Sequence, residues 1–290
     1  MAVNVELIKI LRDRTGAGIM DCKNALAACE NDVDKACDWL REKGIAKQAK
    51  KADRIAAEGL VLVHTCEKCG KASIVEVNCE TDFVSKADPF RDLVNACAET
   101  VLKENCKTVE EAVEKTAPLF TDATVKLGEK LSFRRFEIVE PSADEKVYSY
   151  IHMGGKIGVL VVLAKDDAEL GKGLAMHIAA NNPKFVHFTD IPTAQIENEK
   201  NIQIEACKND PKLAGKPEVA LKKIVEGKVN KFFSESVLDE QSYLLDPEKS
   251  VAQALKEKGN SVVKFIRYQV GEGIEKRQEN FAEEVAKQAN

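Results

Sequence analysis

The chain has 290 residues, 44% of them apolar and 31% charged, with a formal net charge of −5. That is enough apolar material for a core divided over about two domains, and the acidic balance gives no whole-molecule attraction to nucleic acid. No apolar run reaches the roughly 20 residues of a membrane span, and the first residues carry neither a signal-peptide core nor an arginine-rich transit pattern.

Nine scattered cysteines read as thiols of a reducing compartment rather than as a disulfide framework. The expected location is the cytoplasm, and the expected partner is a protein or a small molecule.

In chain order, Leu7, Ile10 and Leu11 share one helical face. After Thr15-Gly16-Ala17-Gly18, a second face holds Ile19, Cys22, Leu26 and Cys29; after Asn31-Asp32, a third holds Val33, Ala36, Cys37 and Leu40. Three such faces predict a small bundle. Gly44 marks its expected stop, and Lys47 to Arg54 reads as a basic helical connector.

Two runs of similar layout follow, suggesting an internal duplication. Leu60 to Val63, a turn at Cys66-Glu67-Lys68-Cys69-Gly70, Ile74 to Val77 and a helix from about Pro89 to Leu102 form the first. Tyr148 to Ile151, a turn at Gly154-Gly155, Ile157 to Leu163 and a helix from about Glu169 to Ala180 form the second. Leu131 to Val139 and Ser261 to Val270 supply further strands, each after a helical pattern. The order predicts an α+β fold with antiparallel sheets backed by helices.

Two charged helical stretches, Thr193 to Cys207 and Pro217 to Phe233, flank Asn209-Asp210-Pro211 and predict an antiparallel helix pair with a seam of Leu221, Ile224, Val225 and Phe232. After Gly271-Glu272-Gly273 a last helix is expected, its stripe of Ile274, Phe281 and Val285 resting on its own core or on a partner.

The stretch Asn78-Cys79-Glu80-Thr81-Asp82-Phe83-Val84-Ser85-Lys86 sets a phenylalanine among charges where a strand should yield to a loop. Such a ring either plugs its own core or projects into a partner. Cys66-x-x-Cys69-Gly70, with His64 nearby and Cys79 as a distant candidate, is half of a zinc site. No second Cys-x-x-Cys follows, so no metal or other cofactor is expected, and without a thioredoxin-like strand and helix around the pair a redox role is not expected either.

His177 and His187 lack Cys or His partners at ligand spacing. No nucleophile-base constellation or phosphate loop is present; Gly271-x-Gly273 and Thr15 to Gly18 are too short. The expectation is therefore a chain that is not an enzyme and binds no nucleotide itself. A binding module that holds a peptide or ubiquitin-like partner on its N-terminal bundle is the competing class.

Two long motifs carry a resemblance. Leu11 to Leu26 (LRDRTGAGIMDCKNAL) resembles the N-terminal signature of the translation elongation factor Ts family, and Glu76 to Lys86 (EVNCETDFVSK) resembles its core signature. The similarity continues through Ala175-Met176-His177-Ile178-Ala179-Ala180 and Val270 to Lys276. The Cys66 to Gly70 turn is unusual for that family, and Met153-Gly154-Gly155 is one residue longer than its commoner form.

The resemblance implies a guanine-nucleotide exchange factor for elongation factor Tu. It implies a ubiquitin-associated-like bundle with its linker at 1–55, a core in two parts at 56–143 and at 144–182 with 235–270, a helical hairpin at 183–234 and a C-terminal helical module at 271–290. By the same resemblance Thr81, Asp82, Phe83 and Val84 meet the partner near its magnesium, Phe83 as a wedge and Asp82 by disturbing the metal's environment. Arg12, Ile19 and Met20 meet the partner's nucleotide-binding domain, Met20 the better exposed of the pair and Ile19 with a wholly structural alternative. His152 is a further contact, and Ile274 and Phe281 dock from the C-terminal helix. Dimerisation through the helical hairpin is left open.

Overall fold

A computed structural model describes residues 3–51, 53–210, 213 and 217–274. The described residues divide into two compact units, one of residues up to 140 with 151–158 and 268–274, the other of 141–150 with 159–267.

The first unit opens with α1 (Val5–Thr15), α2 (Ile19–Ala28) and α3 (Val33–Lys50). Asn4 caps α1 by accepting the Glu6 N–H, and Gly16, in the left-handed region at φ 68°, ends it by donating to the Arg12 carbonyl. Leu11, Cys22, Ala25, Leu26, Ala36 and Leu40 form the core between the helices. Each buried leucine there contributes about 1.5–3 kcal/mol. The predicted face of α1 needs one correction: Ile10 is exposed, and Ile8 joins Leu7 beside Leu11. Ile8 continues the stripe through Leu11, three residues on, whereas Ile10 lies about 60° to the other side of Leu7.

Strands β1 (Glu58–Thr65) and β2 (Ala72–Cys79) form a hairpin, followed by the single turn α4 (Asp82–Ser85), the helices α5 (Asp88–Lys103) and α6 (Val109–Leu127), and β3 (Ser132–Val139). The sheet order is β1-β2-β3, antiparallel throughout. All eight residues of the central strand are buried. Its Val75, Val77 and Cys79 pack under α5 and α6 against Phe90, Val94, Cys97 and Phe120.

Gly44 does not stop α3, which runs on to Lys50. A Cβ at this glycine would stand 2.8 Å from Val125 Cγ2 and 3.3 Å from the Thr121 carbonyl of α6. The residue is a point of close helix approach, so its sequence signature as a breaker misleads.

On the other face of β2, Glu76 is fully buried. Its carboxylate accepts from Arg134 at 2.7 Å, from Arg135 at 2.6 Å and from the backbone N–H of Gly271 at 2.8 Å. Neighbouring residues of a strand normally point to opposite faces, so two adjacent arginines should not reach one carboxylate. A bulge resolves this: Glu76 pairs with Arg135 and Val77 with Phe133, leaving Arg134 as the extra residue. Gly271 has φ 72°, and a Cβ there would lie 2.4 Å from the Ala57 carbonyl, so only glycine brings its N–H to the carboxylate. Arg135 also stacks on the Tyr268 ring at 4.1 Å.

The second unit holds β4 (Lys146–His152), β5 (Ile157–Leu163), α7 (Ala168–Asn181), α8 (Thr193–Lys208), α9 (Glu218–Ser234), the short strands β6 (Ser242–Tyr243) and β7 (Asp246–Ser250), α10 (Val251–Glu257) and β8 (Val262–Gln269). The division between the units falls within β4, β5 and β8. Sheet order β4-β5-β8 repeats the plan of β1-β2-β3, with the third strand following a helix in each case. That repetition matches the duplicated layout of the sequence.

At the helix pair, Val225, Val229 and Phe233 are buried with Ile191 and Cys207, while Phe232 is 58% exposed. The expected seam therefore shifts by one residue at its end, because i, i+4, i+8 from Val225 falls on Phe233. The β6–β7 ribbon was not foreseen from the sequence; its two strands are too short to show alternation.

Two outcomes follow from these buried polar groups. Glu76→Ala leaves Arg134 and Arg135 without their shared acceptor and should lower the unfolding free energy by about 3–5 kcal/mol in urea titrations. His177, fully buried on α7, lies 2.8 Å from Gln241 Oε1 through Nε2 and accepts the Leu244 N–H at 3.1 Å through Nδ1. Burial holds its pKa below the ordinary imidazole value. The unfolded chain thus takes up this proton first, so the contribution is complete above about pH 6.5 and is lost as pH falls through the folded value. The urea midpoint should fall more between pH 7 and pH 5 in the wild type than in His177→Gln.

Candidate functional site

The last residue of β2 is followed by Glu80 and Thr81, and Thr81 caps α4. Its backbone is extended (φ −124°, ψ 157°) and its hydroxyl accepts the Val84 N–H at 3.3 Å. What the sequence presents as a loop is thus a capped single turn.

A second carboxylate fixes that turn from outside. Glu129 Oε2 accepts the N–H groups of Glu80 and Thr81, both at 3.0 Å, while Oε1 accepts the Thr81 hydroxyl at 2.6 Å. Glu80 in turn accepts the Lys130 N–H at 2.6 Å and Arg54 at 3.2 Å. Glu129 and Lys130 stand directly after Gly128, the left-handed cap of α6, so the end of that helix sets the position of the turn.

Inside the turn the Ser85 hydroxyl, buried, donates to the Asp82 carbonyl at 2.9 Å, and Val84 packs against the sheet and helix core. Phe83 points the other way and is 81% exposed. The ring is no core plug. Asp82 is paired with Lys86 at 2.6 Å, and this hydrogen bond holds its carboxyl below the usual carboxylate range.

The remaining sequence-predicted residues lie on other elements. Arg12 is exposed on α1, and Ile19 and Met20 are both exposed at the start of α2, at 55% and 63%. Ile19 therefore does not belong to the bundle core; its side chain leaves the stripe that Cys22 and Leu26 continue inward.

His152, half-buried, ends β4, where its carbonyl accepts the N–H groups of Gly155 and Lys156 at 3.1 Å. The longer turn after it has three successive positive φ angles, 48° at Met153, 65° at Gly154 and 110° at Gly155. It is tied to β1 by the Val61 N–H on the Gly155 carbonyl at 2.7 Å and by Lys156 on Glu58 at 2.7 Å. Ile274 is half-buried and donates its N–H to the Gly271 carbonyl at 3.0 Å, whereas Phe281, Val285 and the expected final helix lie outside the described residues.

Among the described residues, no group of three or more His, Cys, Asp or Glu side chains is arranged to hold a metal ion, and no helix is long and apolar enough to cross a membrane.

A protein-family model described as "Elongation factor TS" matches residues 80–272, more than half of the chain. The chain belongs to the elongation factor Ts family. Its role is accordingly that of a guanine-nucleotide exchange factor in translation elongation. The match opens at Glu80, so it takes in the Thr81 turn and its Glu129 clamp and extends through the Gly271 contact to Glu272.

Within this member of the elongation factor Ts family, Glu129 and Glu76 are the residues that sequence reasoning passed over. The one signal for Glu76 was a carboxylate within the otherwise apolar run Ile74 to Val77. Glu129 gave none, since its partners lie almost fifty residues away.

The exposure of Phe83 yields a direct expectation. Phe83→Ala should change the unfolding free energy by no more than about 0.5 kcal/mol, against about 3–5 kcal/mol for a buried ring, as read from urea or thermal unfolding. Glu129→Ala should instead loosen the turn, seen as faster hydrogen exchange of the Glu80, Thr81 and Val84 amides with the core amides of β2 unchanged.

Proposed function

We propose that this exchange factor binds elongation factor Tu in its GDP-bound form and acts through Thr81, Asp82, Phe83 and Val84. The observation that carries the reading is a large ring, 81% exposed, on a turn held by the Glu129 carboxylate. An exposed phenylalanine is unfavourable in isolation and gains about 1.5–3 kcal/mol on burial in a partner. Because the turn is already fixed, little conformational entropy is lost when the ring is buried.

Phe83 acts as a wedge between partner helices, and Asp82 disturbs the surroundings of the bound magnesium. Mg²⁺ requires near-octahedral oxygen coordination and tolerates distortion poorly, so displacing its neighbours speeds GDP release without a covalent step. The coupling is reciprocal: each tenfold weakening of GDP costs this protein about 1.4 kcal/mol of its own binding in the presence of GDP. GTP then displaces the factor.

Further contacts come from Arg12, Ile19 and Met20 on the N-terminal bundle, from His152, and from Ile274 and Phe281 in the C-terminal module at 271–290. The bundle and linker at 1–55, the core parts at 56–143 and at 144–182 with 235–270, and the helical hairpin at 183–234 are the other modules of this reading. The hairpin is a candidate for dimerisation. The protein itself performs no bond-making chemistry, binds no nucleotide or nucleic acid, and works in the cytoplasm.

Stopped-flow release of fluorescent GDP from elongation factor Tu tests the proposal. The wild type should accelerate release, and Phe83→Ala should weaken binding to the nucleotide-free partner at least about thirtyfold while keeping its fold, as expected for loss of an aromatic anchor worth about 2 kcal/mol. Asp82→Ala should do less to affinity, and its effect on GDP release should shrink when magnesium is chelated. A chain that fails to retain the GTPase in nucleotide-free buffer, or retains it equally with excess GDP, would return the assignment to a general binding module.

A further inference from the structure

The turn joining β1 to β2 carries two thiols in an arrangement that the exchange function does not use. Cys66 donates its N–H to the Lys71 carbonyl at 2.8 Å, and its own carbonyl accepts from Gly70 at 2.8 Å, with Gly70 left-handed at φ 69°. This closes a single tight turn around Cys66 and Cys69. Cys66 is half-buried and Cys69 exposed, and both are free.

The other cysteines differ. Cys22, Cys79, Cys97, Cys106 and Cys207 are buried, and Cys29 and Cys37 pack against the helical bundle. Burial pushes the thiols of Cys79 and Cys97 up to about 12 and those of Cys22, Cys37 and Cys106 above the ordinary value. At Cys66 the shift is reversed. The neighbouring Cys69 thiol and the backbone of the turn favour its thiolate.

We infer that Cys66 and Cys69 form a reversible dithiol–disulfide pair, with Cys66 as the attacking sulfur and Cys69 as the resolving one, for a small-molecule disulfide as oxidant. The Cys66 thiolate attacks one sulfur of the oxidant, forming a mixed disulfide and expelling one thiolate. Cys69 loses its proton to solvent and attacks the Cys66 sulfur, so the Cys66–Cys69 bond forms and the second small thiolate leaves. Two electrons pass from the protein dithiol to the oxidant, and two protons end on the released thiols.

A thioredoxin-like helix is not needed to bring the thiols together, because the hydrogen bonds that close the turn already hold Cys66 and Cys69 three residues apart on one accessible loop. The strand β2 separates this turn from Thr81 by eight residues, about 25 Å of extended chain, so the pair can be oxidised without altering the exchange turn.

The test uses the full chain with oxidised glutathione near neutral pH, followed by alkylation of remaining thiols and peptide mass spectrometry. In the wild type the expected product is the Cys66–Cys69 disulfide, with no glutathione retained. Cys69→Ser should hold glutathione on Cys66, and Cys66→Ser should be modified at Cys69 at least tenfold more slowly than Cys66 is in Cys69→Ser. Both positions are at a solvent-facing turn, and unchanged circular dichroism verifies folding. Retention of a mixed disulfide in the wild type, faster modification of any other cysteine, or equal rates in the two single variants would each overturn the assignment.

Discussion

A carboxylate in the centre of the middle strand, Glu76, has no exposed surface, and a charge withdrawn from water at such a place destabilises the protein by several kcal/mol unless it is neutralised and fully hydrogen-bonded. Arg134, Arg135 and the Gly271 N–H meet that demand. Each requires a feature of its own: a bulge in β3 so that consecutive arginines face one way, and a left-handed glycine so that a backbone donor comes close. Through these contacts one side chain gathers β2, β3 and the residues after β8 around a single point. Arg134 further donates to the Glu272 carbonyl and Arg135 to that of Gln269 at 3.1 Å, so the same arginines hold the returning chain. An apolar residue at Glu76 would remove the desolvation cost but also the reason for this convergence.

The Thr81 turn begins five residues beyond this centre, just past the end of the same strand, and it too is organised by carboxylates. Glu129 takes the free N–H groups where β2 ends, and Glu80 takes the Lys130 N–H in return. The two contacts form a reciprocal clamp between the end of a strand and the end of α6. Because α6 also receives α3 at the close approach of Gly44 to Val125, the N-terminal bundle and the Thr81 turn are both referred to the same helix. In the proposed role Phe83 gains from such fixing, since a mobile ring would lose entropy on burial that a fixed one does not.

Polar and apolar constraints divide the work within this unit. The face of β2 under α5 and α6 is apolar and supplies the bulk of the burial, with Val75, Val77, Phe90 and Phe120 among its members. The opposite face supplies direction, because hydrogen-bonded charges tolerate few geometries where apolar contacts tolerate many. The thiol turn lies at the far end of the same hairpin, outside both constraints, which is why its two cysteines stay accessible while Cys79 on the central strand is buried.

Periodicity in the sequence determined the element order, since burial at spacing 2 or 3.6 is written locally. The predicted strands at Leu60, Ile74, Leu131, Tyr148, Ile157 and Ser261 all coincide with observed ones, as do the predicted helices that fall among the described residues. Motif resemblance determined the family, which the match over residues 80–272 establishes. Tertiary structure decided between the alternatives left for the side chains: Phe83 and Ile19 are exposed, as the resemblance implied although their residue types favour burial, and Phe233 is buried in place of Phe232. It also decided the meaning of Gly44, a contact point and not a stop, and the roles of Glu76 and Glu129. Those roles depend on partners 48 to 195 residues away in sequence. Local patterning carries no information about such partners, because a hydrogen bond between distant residues depends on where the rest of the fold brings them.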